Sequence, residues 1–142
     1  MLKLNEDLGK LILRIFCGGL MIFHGIHKIN HGHDFIKKML TNSGMPEFMW
    51  IGIPFSEILA PVLIIVGIFT RLSALLISFT MLMAMYLVRG WTAFQLNPDL
   101  GYINAELELL YFSMGIVIFL IGSGKYSLSN IVFTKNSKLI NY

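Results

Sequence analysis

Residues 72–88, LSALLISFTMLMAMYLV, run without a single charged side chain. Uncharged runs of this length constrain the chain most, because the hydrocarbon core of a bilayer, about 30 Å thick, takes about 20 helical residues, with a range of about 17–25. Three further runs are as long. Residues 9–30 carry Arg14, His24, His27 and Lys28; residues 51–70 carry Glu57 alone; residues 105–122 carry Glu106 and Glu108 near their start. Barrel strands would instead alternate over about ten residues. The chain is 56% hydrophobic and 13% charged, where soluble domains carry about 25% charged residues. A soluble fold of this size could not hide so much apolar surface. The expectation is an all-α protein, an integral membrane four-helix bundle, with residues 1–142 forming one transmembrane domain.

The connections differ in kind. Segment 31–50 is long and contains FIKKML and SGMPEFMW. Phe35, Met39 and Leu40 set against Lys37 and Lys38 predict a short amphipathic turn lying in the membrane interface. FTRLS, residues 69–73, is so tight that the second and third helices must be antiparallel neighbours. Segment 89–104 brings Trp91, Phe94 and Tyr102, aromatics suited to headgroup depth. The tail, 123–142, is polar. Four spans put both termini on one side, with Lys3, Lys10, Arg71, Lys125, Lys135 and Lys138; Lys28, Lys37, Lys38 and Arg89 lie on the other. This bias favours termini in the cytoplasm. A net charge of +3 is dispersed rather than clustered, so it points to membrane lipid and not to nucleic acid as the partner. The first run imitates a signal peptide but ends in His, Lys and Asn with no small-residue cleavage site, so it reads as a retained helix.

Ionisable groups inside a bilayer cost about 2.5–3.5 kcal/mol each on insertion scales, and they normally face the bundle interior. At about 100° per residue, Arg14, Gly18, His24, Gly25 and Lys28 share one face of the first helix. Glycines there let another helix approach closely. Glu57 lies between Pro54 and Pro61, which free carbonyls and open space beside the carboxylate. Glu106 and Glu108 are about 200° apart around their helix, so only one of them can look inward. Arg14, His24, Lys28, Glu57 and Glu106 form the candidate intramembrane polar site, with Arg14, His24, Glu57 and Glu106 expected to converge. Two readings of this set stay open: a functional site, or an ion pair that holds the bundle together. His24, His27 and His31 fall on one helical stripe with metal-binding spacing. Asn30 and Gly32 end the helix there, and no second cluster completes a shell, so no metal is expected. Cys17 is the only cysteine.

These segments together resemble the DoxX family of small membrane proteins. LILRIFCGGLMIFHGIHKI is similar to the family's first helix, SGMP to its glycine-x-proline loop, and SEILAPVLIIVGIFTRLSALLI to its second helix and the turn that follows. AELELLYFSMGIVIFLIGSGKYSLSN is similar to the fourth helix and its closing motif. The resemblance spans about residues 8–130 and places Arg14, His24, Gly25, Lys28, Glu57 and Glu106 on the family pattern. Glu108 departs from it, as does Ser129-Asn130 where an acidic residue often stands; His27, His31 and His33 lie outside it. The resemblance implies a four-helix inner-membrane protein, and some relatives belong to quinone-linked redox assemblies. The expected function is therefore a subunit or partner of such an assembly, with a quinone as candidate cofactor and a redox protein as candidate partner. A non-enzymatic scaffold for a soluble protein is the alternative. A small transporter ranks third and would need a homo-oligomer to build a pathway.

Overall fold

The computed structural model describes residues 5–99 and 101–131. Lys3, Lys135, Lys138 and the tail beyond residue 131 lie outside the described residues. The described chain is helical, with one isolated antiparallel bridge, Leu96 to Ile103, in place of any sheet. Helix α1 spans Glu6–His31. Asn5 caps it by accepting from the Leu8 N–H at 3.2 Å, and Glu6 and Asp7 in its first turn suit the positive end of the helix dipole. Its 26 residues reach about 39 Å, so both ends project beyond the hydrocarbon.

Helix α2, His33–Asn42, follows after Gly32 alone. It is a full ten-residue helix where the sequence suggested only a turn, and its Lys37 is held by Glu47 at 3.4 Å and by the Trp50 ring at 5.2 Å. Helix α3, Glu47–Val66, and helix α4, Thr70–Thr92, are each long and apolar enough to cross a membrane, as is α1. They start and stop a few residues away from the predicted limits of 51–70 and 72–88. The difference at the α3–α4 turn arises because Gly67 adopts a left-handed φ of 84° and stops α3 early.

Helix α5, Glu106–Ile121, has 16 residues and reaches about 24 Å, short of a full span on its own. It follows the predicted fourth run, 105–122, to within one residue at each end, and the Gly122 N–H bonds Ile118 O at 2.9 Å before the chain turns away. A small hairpin precedes α5, closed by Asn97 N–H to Tyr102 O at 2.8 Å and Ala105 N–H to Ala93 O at 3.0 Å.

Helices α1, α3, α4 and α5 pack around a core that includes Cys17, Met21, Ile64, Ile77, Tyr111 and Ile118. The outer surface is apolar too: Phe23, Leu72, Phe79 and Leu120 are each at least 60% exposed. Such a surface belongs in lipid. Helices α1 and α3 meet at Gly18 and Gly25. A Cβ on Gly25 would lie 2.6 Å from the Glu57 carbonyl oxygen, and one on Gly18 would lie 2.8 Å from the Pro61 carbonyl oxygen, so only glycine allows this approach. Asp7 accepts from the Lys125 N–H at 3.0 Å, which brings the start of α1 and the segment after α5 to the same end of the bundle.

Candidate functional site: a cavity beside a buried ion pair

An apolar cavity of about 320 Å³ opens between α1, α2, α3, α4 and α5 at the end of the bundle away from Asp7. Met21, Phe35, Met39, Leu87 and Val88 supply much of its apolar wall, while His24, Lys28, Glu57, Glu108 and Tyr111 supply its polar groups. Its size and sparse polar lining match a site for an apolar ligand with a polar head.

Glu57 owes its place to a fault in α3. Pro61 has no N–H to return to the Glu57 carbonyl, and the helix widens over Phe55–Leu59 so that the Ala60 N–H bonds Phe55 O, five residues back. The widened turn carries Glu57 into the interior, fully buried, where it pairs with Lys28 of α1. Lys28 is 34% exposed at the side chain and links the pair to the cavity mouth. One carboxylate oxygen, Oε1, takes the lysine; the other, Oε2, is buried without a donor among the described residues.

A second pair follows the same plan. Helix α4 widens over Met85–Arg89, with the Gly90 N–H reaching Met85 O, and Arg89 Nε donates to Glu108 Oε1 at 3.3 Å. Glu108 Oε2 is again buried and without a donor among the described residues. On the cavity wall, His24 meets the edge of Tyr111 with ring centroids 5.8 Å apart. Tyr111 itself is 3% exposed.

Two residues of the predicted set stand elsewhere. Arg14 does not converge with Glu57. It is buried at the other end of the bundle and donates to four carbonyls: Nε to Ile64 at 2.7 Å, Nη2 to Ile65 at 2.7 Å, and Nη1 to Ser123 at 2.5 Å and Tyr126 at 3.0 Å. Arg14 and Lys28 share a helix face, but 14 positions separate them by about 21 Å along the axis, beyond side-chain reach. The cation instead satisfies the last carbonyls of α3, where the helix dipole is negative. Glu106 is also displaced: it is exposed and borders a shallow outer depression with Arg89 and Tyr102.

Glu108 takes the inward position because it stands three residues before Tyr111 on the stripe that continues through Gly115 and Ile118, all three of which are buried. That stripe was the available signal for Glu108 and Tyr111, and the sequence reading missed it. Arg89 gave no signal beyond its place at a span end. The remaining histidines sit outside the cavity: His27 stacks on His31 at 5.0 Å, and His33 lies 3.3 Å from Asp34. Among the described residues no three histidine, cysteine or carboxylate side chains gather as a metal shell.

The family model for DoxX matches residues 9–90. The chain belongs to the DoxX family. The match takes in His24, Lys28, Glu57 and Arg89, while Glu108 and Tyr111 lie on α5 beyond it. The chain is also similar to a Bacillus subtilis (strain 168) protein named "Putative oxidoreductase CatD", with 29% identity over 127 residues, covering 89% of each chain. No solved structure matches. This DoxX chain thus combines a membrane-embedded helical body with a cavity whose wall includes the Lys28–Glu57 pair and Glu108.

Proposed function

We propose that this DoxX protein is a membrane subunit or partner of a quinone-linked redox assembly, and that its cavity receives the ring of a quinone from the bilayer. The observation that carries the reading is the fully buried Glu57, ion-paired to Lys28, with both residues in the wall of a largely apolar cavity. A purely structural pair needs no such space beside it. A quinone ring has an apolar body and polar oxygens at its edge, which suits walls of methionine and leucine broken by Lys28, His24 and Glu57. Quinone chemistry also moves protons, and a cavity wall that holds a histidine and carboxylates suits that task. The oxidoreductase name of the Bacillus relative agrees with this reading. Electrons would pass to or from a partner protein.

In this proposal residues 1–142 act as one transmembrane unit in the inner membrane, with the end that carries Asp7 and Lys125 in the cytoplasm. The cluster that does the work is His24, Lys28, Glu57, Glu108 and Tyr111, with Arg14 as the clamp that closes the opposite end. The test is mass spectrometry of protein extracted gently with its native lipid. Quinone retained by the wild type and lost in Glu57→Gln is the expected result. A copurifying redox enzyme with no quinone in either preparation would favour the scaffold role instead.

A further inference from the structure

Two shallow depressions adjoin at the Asp7 end of the bundle and share Ile121, Ser123 and Ser129 in their walls. The first holds Arg71, from the first turn of α4, whose Nε and Nη2 each lie 3.6 Å from where a Cβ on Gly122 would stand. The second holds Lys10 and Lys125, and the Lys10 stem runs along Gly124, its Cδ 3.1 Å from where a Cβ there would stand. Gly122 and Gly124 are two residues apart, so the two cationic spots flank one stretch of backbone no longer than about 7 Å. Asp7 is the one carboxylate lining either depression, and Lys125 already engages it through its N–H at 3.0 Å and Nζ at 3.8 Å. Arg71 and Lys10 form no ion pair among the described residues, which include all eight Asp and Glu side chains of the sequence. Three cations against one carboxylate leave two positive charges in excess. Phe69 and Leu72, both exposed, carry the first depression onto the lipid-facing surface.

We infer that this end of the bundle binds a phospholipid with two phosphodiesters in one headgroup, one seated at Arg71 and the other at Lys10 and Lys125. Its acyl chains run along Phe69, Leu72 and Ile121. The site lies apart from the cavity and does not depend on what fills it. Each phosphodiester keeps one negative charge at neutral pH, so two of them match the excess of positive charge. The Arg71 guanidinium can give a phosphate two parallel N–H bonds, and the lysines act as point charges. Hydroxyls of Ser123 and Ser129, on the shared ridge, can donate to either phosphate. A soluble anion would meet the same cations but leave the apolar border uncovered, whereas at headgroup depth a lipid satisfies both. A lipid with a single phosphodiester fills one depression and leaves the cations of the other to solvent. A cation at the membrane surface strengthens binding of anionic lipid by about fivefold, so reaching the second depression favours the double headgroup by about that factor or more.

The test uses full-length protein in phosphatidylcholine nanodiscs doped, at equal total phosphate, with cardiolipin, which has two phosphodiesters, or phosphatidylglycerol, which has one. Native mass spectrometry of protein released from the discs counts the lipids it retains. The expected result is at least about fivefold higher occupancy by cardiolipin. Arg71→Gln and Lys10→Gln each remove the cation of one depression, so each brings the ratio towards one, while Arg71→Lys keeps most of the preference. Lys38→Gln removes an equal charge from an exposed site on α2, at the other end of the bundle, and leaves the ratio unchanged. Equal occupancy by the two lipids overturns the inference, as does a ratio that Lys38→Gln lowers as much as Lys10→Gln. Release of cardiolipin by millimolar inorganic phosphate also overturns it, because the site would then serve a soluble anion.

Discussion

Removing one member of the Lys28–Glu57 pair should cost very different amounts depending on which one is removed. In Lys28→Met the Glu57 carboxylate stays behind with its side chain 1% exposed and both oxygens without a donor. Leaving a buried charge uncompensated costs about 3–5 kcal/mol. In Glu57→Met the lysine stays behind, but it is 34% exposed and can swing its ammonium towards the headgroups while its stem remains on the apolar wall. That loss should be about 1–2 kcal/mol, nearer the value of one charged hydrogen bond. The double variant Lys28→Met/Glu57→Met removes both charges and fills the space with apolar side chains, so its stability should return to within about 1 kcal/mol of the wild type. Ligand binding should vanish in the double variant even though the fold is restored. Denaturant titration in mixed micelles, read by tryptophan fluorescence, gives the three stabilities, and dialysis gives the binding. A double variant as unstable as Lys28→Met would refute the argument about buried charge. A stable double variant that still binds quinone would refute the role assigned to the pair.

Four further outcomes follow from the same geometry. Gly25→Ala should destabilise by about 1–3 kcal/mol, because the new methyl has no room against the Glu57 carbonyl, whereas Gly19→Ala, with nothing within 4 Å, should be neutral or mildly stabilising in the same titration. Arg14→Met should cost about 3–5 kcal/mol, with Arg14→Lys between it and the wild type, while quinone binding per folded molecule stays unchanged; a loss of binding at full stability would place Arg14 in the site after all. Changing His27, His31 and His33 together to Gln should leave stability and binding near wild type, and His24→Gln alone should weaken binding, since it alone of the four lines the cavity. Lys125→Cys, at a side chain 80% exposed, should react with an impermeant maleimide only in broken cells; labelling of intact cells would reverse the orientation. Cys17 is buried and gives little background.

The sequence by itself determined the solvent and the long helices, because both depend on local composition, whereas α2 was legible only as a turn. Uncharged runs of bilayer length such as 72–88 leave the chain no other stable environment, and Glu57 between two prolines already marked a break in an otherwise regular helix. The spacing of Gly18 and Gly25 on one face of α1 likewise showed where a second helix could come close. The tertiary structure decided which polar groups meet. A helical face records rotation but not height, so Arg14 and Lys28 look like neighbours in projection although about 21 Å of axis divides them. The choice between Glu106 and Glu108 depended on how α5 is rolled against α4, which is fixed by packing at Tyr111, Gly115 and Ile118 rather than by the charges themselves. Arg89 meets Glu108, a residue of the cavity wall, where α4 widens over its last turns. Axial position, helix rotation and partner choice are set by contacts between residues far apart in the chain, and a local pattern carries no record of them.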